Sequence, residues 1–123
     1  MATTATTVVK RFDAPDERRP FVGHGRADVV DMNGQIVGCG VFEPGWRWSQ
    51  DVKPIAGTDL CQVSHLGYCL SGRMTIEMED GSEIAIRAGD VFAIAPGHDA
   101  EVIGDEPCTL LDFGEFGDYA KRH

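Results

Sequence analysis

The chain has 123 residues, with 42% hydrophobic and 25% charged side chains and a formal net charge of −9. That length fits one domain and leaves no room for a second folded module, yet it can bury a core without disulfides or structural metal. Twenty Asp and Glu against 11 Lys and Arg is the wrong sign for gripping phosphate backbones, which argues against nucleic acid and anionic membrane surfaces as partners. No apolar run approaches the length of a membrane span. Fifteen glycines lie between short apolar runs, as turn residues do, and favour an all-β fold.

Residues 1–20 open with Ala and Thr and continue into a mixed-charge run from Lys10 to Pro20. They read as a flexible or draped arm, with neither the basic nor the continuous apolar stretch of a signal peptide, and a cytoplasmic protein is expected. A single β-barrel domain is expected over 21–123. Asn33-Gly34 separates two β-rich runs and predicts a tight hairpin, because a type I′ turn needs positive φ at both central residues. Trp46-Arg47-Trp48 follows as a strand with both indoles on one face, and 49–59, with Pro54 and Gly57, reads as a long loop. A strand is expected over about 61–71.

Gly72 then turns the chain into Arg73-Met74-Thr75-Ile76-Glu77-Met78-Glu79, where Met74, Ile76 and Met78 share the apolar face and Glu77 and Glu79 the solvated one. Asp80-Gly81 predicts a second type I′ hairpin. Three further short runs, at about 91–95, 100–103 and 108–113, bring the total to nine or so strands with no helical period between them. A sandwich, jelly roll or closed barrel follows. Cys39, Cys61, Cys69 and Cys108 lack the close pairing of a zinc ribbon or thioredoxin-like site and read as small buried side chains, Cys61 having a second reading below.

The stretch from Gly67-Tyr68-Cys69-Leu70-Ser71-Gly72 through Ala88-Gly89-Asp90 to Ala95-Pro96-Gly97-His98 resembles the cupin superfamily. The resemblance covers about 35–113 and implies an all-β, double-stranded β-helix barrel. In that family one motif is His-x-His, three or four residues, Glu, six residues, Gly; here Gly72 matches the Gly and His65 stands in the Glu slot. The His-x-His slots fall on Asp59 and Cys61. In the second motif Gly89 and Gly97 match, Ala95 takes a Pro slot, Ala100 takes the His slot, and His98 stands two residues early. The standard three-His-one-Glu set is therefore absent.

A different ligand set is open on the same wall of the barrel. Cys61, His65 and Cys69 share strand parity, as do His98 and Ala100. A metal site of His65, His98, Cys61 and Asp59 is expected, with His65 and His98 as the candidate catalytic groups; the competing reading makes both histidines hydrogen-bonded barrel or turn residues and Asp59 a solvated carboxylate. Imidazole and thiolate suit Zn, Fe, Ni or Cu. Trp46, Trp48, Cys69 and Tyr68 are the expected cavity lining, although Tyr68 has the opposite parity to His65. No role falls to His24 or His123, and no nucleotide cofactor is expected, there being no glycine-rich phosphate loop.

The resemblance implies either a metal-dependent enzyme, such as a dioxygenase, isomerase or decarboxylase, or a metal-free module that binds a small ligand without catalysis. Fold does not choose between them. A third reading is a homodimer whose open sheet edges pair.

Overall fold

A computed structural model describes residues 6–114, 117 and 119–122; His123 lies outside the described residues. The strands are β1 (Glu17–Pro20), β2 (Gly25–Met32), β3 (Gln35–Phe42), β4 (His65–Ser71), β5 (Arg73–Met78), β6 (Glu83–Arg87), β7 (Val91–Ile94), β8 (His98–Val102) and β9 (Cys108–Asp112). They form a six-stranded antiparallel sheet in the order β1-β2-β3-β9-β4-β7 and a three-stranded one in the order β6-β5-β8. The expected all-β architecture is present. No helix among the described residues is long and apolar enough to cross a membrane.

Local chemistry explains the turns. Asn33 and Gly34 have φ of 56° and 96°, as a type I′ turn requires, and pair β2 with β3 over their full length. At the second hairpin only Gly81 is left-handed, at 87°, and its N–H donates to the Met78 carbonyl. This is a three-residue loop closed by a left-handed glycine, one residue longer than the expected two-residue turn. The final four residues of the expected arm are β1, held to β2 by backbone pairing from Glu17↔Val29 to Pro20↔Arg26.

The segment expected as a long loop contains two single-turn helices, α1 (Trp48–Asp51) and α2 (Lys53–Ala56). Its breaker residues act at helix ends: Pro54 sits in the first turn of α2, where its missing N–H costs nothing, and Gly57 terminates the helix at φ 75°. Trp48 thus begins a helix and is not part of a strand with Trp46. Both indoles are nevertheless buried.

Alternation on β4 decides what the barrel interior sees. His65, Gly67 and Cys69 point inward, while Leu66, Tyr68 and Leu70 point outward and are 38–51% exposed. Met74 and Ile76 of β5 and Ile86 of β6 face them from the second sheet. At one end Phe21, Phe42, Trp46 and Tyr119 pack ring on ring, with Phe42 and Trp46 at 4.5 Å and Phe21 and Phe42 at 5.3 Å. Such pairs each add about 0.5–1.5 kcal/mol to the burial of their area.

Gly67 is where β4 comes closest to its neighbours: a Cβ there would lie 1.9 Å from the Leu111 carbonyl oxygen and 2.7 Å from the Phe92 ring. Gly81 has open space around it. Gly67→Ala is expected to cost about 2 kcal/mol or more in chemical denaturation through overpacking, whereas Gly81→Ala costs about 1 kcal/mol through its left-handed backbone. A Gly67→Ala chain as stable as the unaltered protein would contradict this packing of β4.

Candidate metal centre

Three elements converge on one polar spot inside the barrel. His65 is the first residue of β4, His98 the first of β8, and Cys61 lies in the connection before β4, joined to His98 by an isolated bridge. The bridge is tight: the Cys61 N–H donates to the His98 carbonyl at 2.8 Å and the Gly97 N–H to the Cys61 carbonyl at 2.7 Å. One ligand atom from each of Cys61, His65 and His98 lies within 4.8 Å of the others. All three are at least nine-tenths buried in their side chains or as whole residues.

Hydrogen bonds fix both imidazoles. His65 Nδ1–H donates to Asp112 Oδ2 at 2.5 Å, and His98 Nδ1–H donates to the Ala95 carbonyl at 2.8 Å. A carbonyl oxygen only accepts, so the proton of neutral His98 sits on Nδ1 and the lone pair on Nε2. The same holds for neutral His65, whose Nε2 lies 3.6 Å from Cys61 Sγ. Asp112 is itself held, its second oxygen accepting from the Gly114 N–H at 2.9 Å.

The electrostatics follow from this packing. Burial pushes the Cys61 thiol up, but the hydrogen bonds and positive charge of His65 and His98 outweigh it and bring the pKa down to about 6. Burial likewise opposes charge on His65, yet Asp112 and Cys61 overcome it and raise its pKa to about 9. The other three thiols are shifted the opposite way, upward, with burial the leading cause. Cys61 is therefore the distinctive sulfur of the chain. Tyr119, buried against the same groups with its ring 5.4 Å from that of His65, is pushed well up by burial and by the negative charge of Cys61 and Asp112.

Beside the two histidines lies a cavity of about 40 Å³. Phe42, Trp46, Trp48, Met74, Ile76, Phe92, Ile94 and Leu110 give it largely apolar walls, and His65, His98, Asp112 and Tyr119 also line it. The Nε1–H groups of Trp46 and Trp48 are buried without a hydrogen-bond partner. A buried donor left this way costs roughly 1–3 kcal/mol.

Of the residues expected at the site, His65, His98 and Cys61 come together, and Trp46 and Trp48 line the cavity. Asp59 does not join them: its side chain is fully exposed and lies 3.6 Å from Lys53. Tyr68 is on the outer face of β4, as its parity with Leu66 and Leu70 dictates, and does not line the cavity. Cys69 is fully buried but lies further along β4, where its thiol donates to the Ser71 carbonyl at 3.3 Å. His24, given no role from sequence, lies 3.1 Å from the buried Asp51.

Sequence reasoning missed Asp112 and Tyr119. Asp112 had a readable signal, since it shares parity with Cys108 and Leu110 on an apolar strand, and an inward carboxylate demands a partner. Tyr119 lies beyond the patterned strands and carried none.

Residues 61–114 match the Cupin_2 family model, described as a cupin domain. Among solved structures, a protein of unknown function (DUF1255) from Acidithiobacillus ferrooxidans is similar with a TM-score of 0.56 and 20% identity, over 79% of this chain and 86% of that one. A Cupin 2 conserved barrel domain protein from Salinispora arenicola gives a TM-score of 0.57 and 16% identity, over 89% and 87%. An oxalate decarboxylase variant from Bacillus subtilis gives 0.53 and 26%, over 81% of this chain but 28% of that one, so this chain spans little more than a quarter of that enzyme. No curated protein matches. The family match covers the part of the chain that carries Cys61, His65, His98 and Asp112, and the likeness in fold extends over 79–89% of the chain: the chain carries a cupin domain.

Proposed function

We propose that this chain binds one divalent transition metal ion through Cys61 Sγ and the Nε2 atoms of His65 and His98, and that a small molecule from the adjoining cavity takes the open position. The observation that carries the reading is the pair of outward Nδ1–H bonds, to Asp112 and to Ala95, which turn both Nε2 atoms into the site beside a thiol of lowered pKa, where an ion would displace the proton of His65 Nε2. A carboxylate or carbonyl behind a histidine is the usual support of a metal-bound imidazole. A tetrahedral ion with sulfur at about 2.3 Å and nitrogen at about 2.0 Å sets those atoms about 3.5 Å apart. Cys61 Sγ and His65 Nε2 are 3.6 Å apart.

Thiolate with two imidazoles favours Zn²⁺ and its neighbours Fe²⁺, Ni²⁺ and Cu²⁺ over Mg²⁺ or Ca²⁺, and tetrahedral S and N donors suit zinc best. Three protein ligands and an open position are the arrangement of a catalytic rather than a structural zinc. Such an ion polarises a carbonyl or bound water. The donor set differs from the three-His-one-Glu pattern to which the family resemblance pointed, so no decarboxylase or dioxygenase reaction is carried over. An ion held by Cys61, His65 and His98 would lie beside largely apolar walls, which would strengthen its field on a bound ligand.

Metal analysis after reconstitution is expected to give one ion per chain. Asp112→Asn should weaken binding about 10- to 100-fold, Cys61→Ser and His98→Ala by more, and Asp59→Asn not at all. A folded protein that takes up no transition metal would contradict the proposal. In the metal-free protein, Cys61 and His65 form a thiolate–imidazolium pair between pH about 6 and about 9, because the thiol ionises above the lower value and the imidazolium deprotonates above the upper one. The thiolate absorbance in the ultraviolet should rise with a midpoint near pH 6, and His65→Gln should move that midpoint upward. An unshifted midpoint in His65→Gln would show that the imidazole does not activate the thiol.

A further inference from the structure

We infer that the outer face of the larger sheet is where a second copy of this chain docks, giving a two-fold dimer packed face to face. The inference is independent of the ion. The alternation that turns His65, Gly67 and Cys69 inward puts Leu66, Tyr68 and Leu70 on the outside of β4. Register adds their neighbours: Val91 of β7 and Leu111 of β9 both pair with Tyr68, Ala93 pairs with Leu66, and the Phe113 N–H donates to the Leu66 carbonyl at 2.7 Å. These side chains form one patch across three adjacent strands. Five of them are well exposed: Leu66 51%, Tyr68 38%, Leu70 50%, Val91 75% and Phe113 46%.

Charge separates this face from that of the other sheet. In a chain with 25% charged residues, none of the outward positions on β4, β7 or β9 holds a charged side chain. The outward side of the smaller sheet carries Arg73, Glu77, Arg87 and Glu101. A solvated sheet face is polar like the second, whereas a contact face sheds charge at its centre. Area and charge together decide the occupant. At whole-residue areas of roughly 200 Å², the five exposed side chains leave about 500 Å² of mostly apolar surface. One side of a standard interface is about 800 Å², of which roughly 55–65% is apolar. The patch thus supplies the apolar part of one side, and a second copy supplies the same on the other. Two chains of net charge −9 repel each other, but here they meet without bringing carboxylates together at the centre. Further along the same row of the sheet, Asp28 of β2 is 3% exposed and already bonded to Arg18 and Arg26. The same net charge disfavours an anionic membrane as the occupant.

Sedimentation equilibrium of the full chain tests this. For an interface of this size a dimer is expected at a concentration of about 10 μM. Tyr68→Glu and Leu70→Glu each place two charges per dimer in the buried patch and should weaken association about 100-fold or more. Ala85→Glu, on the outward side of the smaller sheet, should leave it unchanged. Because β4 is an interior strand, these substitutions spare a dimer formed by backbone pairing at the outer edge of β7. A dimer that survives both Tyr68→Glu and Leu70→Glu therefore overturns the inference in favour of that edge. A chain that stays monomeric at the same concentration overturns it in favour of another partner or none. Should neither variant fold, magnetisation transfer between isotope-labelled and unlabelled copies of the unaltered chain decides: the methyl groups of Leu66, Leu70 and Val91 are expected at the interface, and a dimer whose contacts leave them out overturns the inference.

Discussion

The hydrogen bond from His65 to Asp112 is the constraint on which the polar centre depends. Asp112 ends β9, the strand that joins β3 to β4, and its two oxygens are committed to His65 and to the Gly114 N–H. A carboxylate held at both oxygens cannot turn away, so the imidazole opposite it keeps one orientation and one tautomer. That orientation aims Nε2 at Cys61. The sulfur is equally constrained, because Cys61 is pinned through its backbone to His98 and Gly97. Side chains from a connection and two strands in different sheets thereby meet with their lone pairs converging, and little side-chain entropy is left to lose when a ligand arrives.

Burial and charge act in opposite senses here, and the balance differs by residue. Cys39, Cys69 and Cys108 show what the apolar interior does to a thiol when burial leads: the neutral form is favoured. Cys61 is just as buried, yet two imidazoles reverse the outcome. A thiolate is the form that binds metal, and both imidazoles must be free of a proton at Nε2 to join it. The Nδ1 bonds to Asp112 and Ala95 direct each Nε2 into the site, and at His65 an arriving ion displaces the proton that Nε2 carries below pH about 9. Around this centre the walls are mostly apolar, so a bound small molecule would be oriented by few polar groups and confined by many apolar ones.

Much of this was legible in the sequence, for reasons that differ by element. The β2–β3 hairpin could be read because Asn33-Gly34 combines two residues that tolerate positive φ, and β5 because Met74 and Ile76 alternate with Thr75 and Glu77. The motif glycines placed His65 near a ligand slot. By contrast α1 and α2 are each one turn long, too short to show a period, and Pro54 and Gly57 signal a loop as readily as helix ends. Parity grouped Cys61 with His65 and Cys69, but Cys61 lies outside β4, and its approach to His98 depends on a bridge between distant segments that no local pattern encodes. Asp59 could not be separated from a ligand by type or spacing. Only the path of the connection after α2, which leaves it in solvent beside Lys53, removes it from the site.

The central claim is that one sulfur and two imidazoles share an ion, and X-ray absorption at the metal edge of the reconstituted protein tests it directly. The account predicts a first coordination shell with one sulfur at about 2.3 Å and nitrogen or oxygen scatterers at about 2.0 Å, with the sulfur contribution gone in Cys61→Ser. A shell of nitrogen and oxygen alone in the unaltered protein would contradict it.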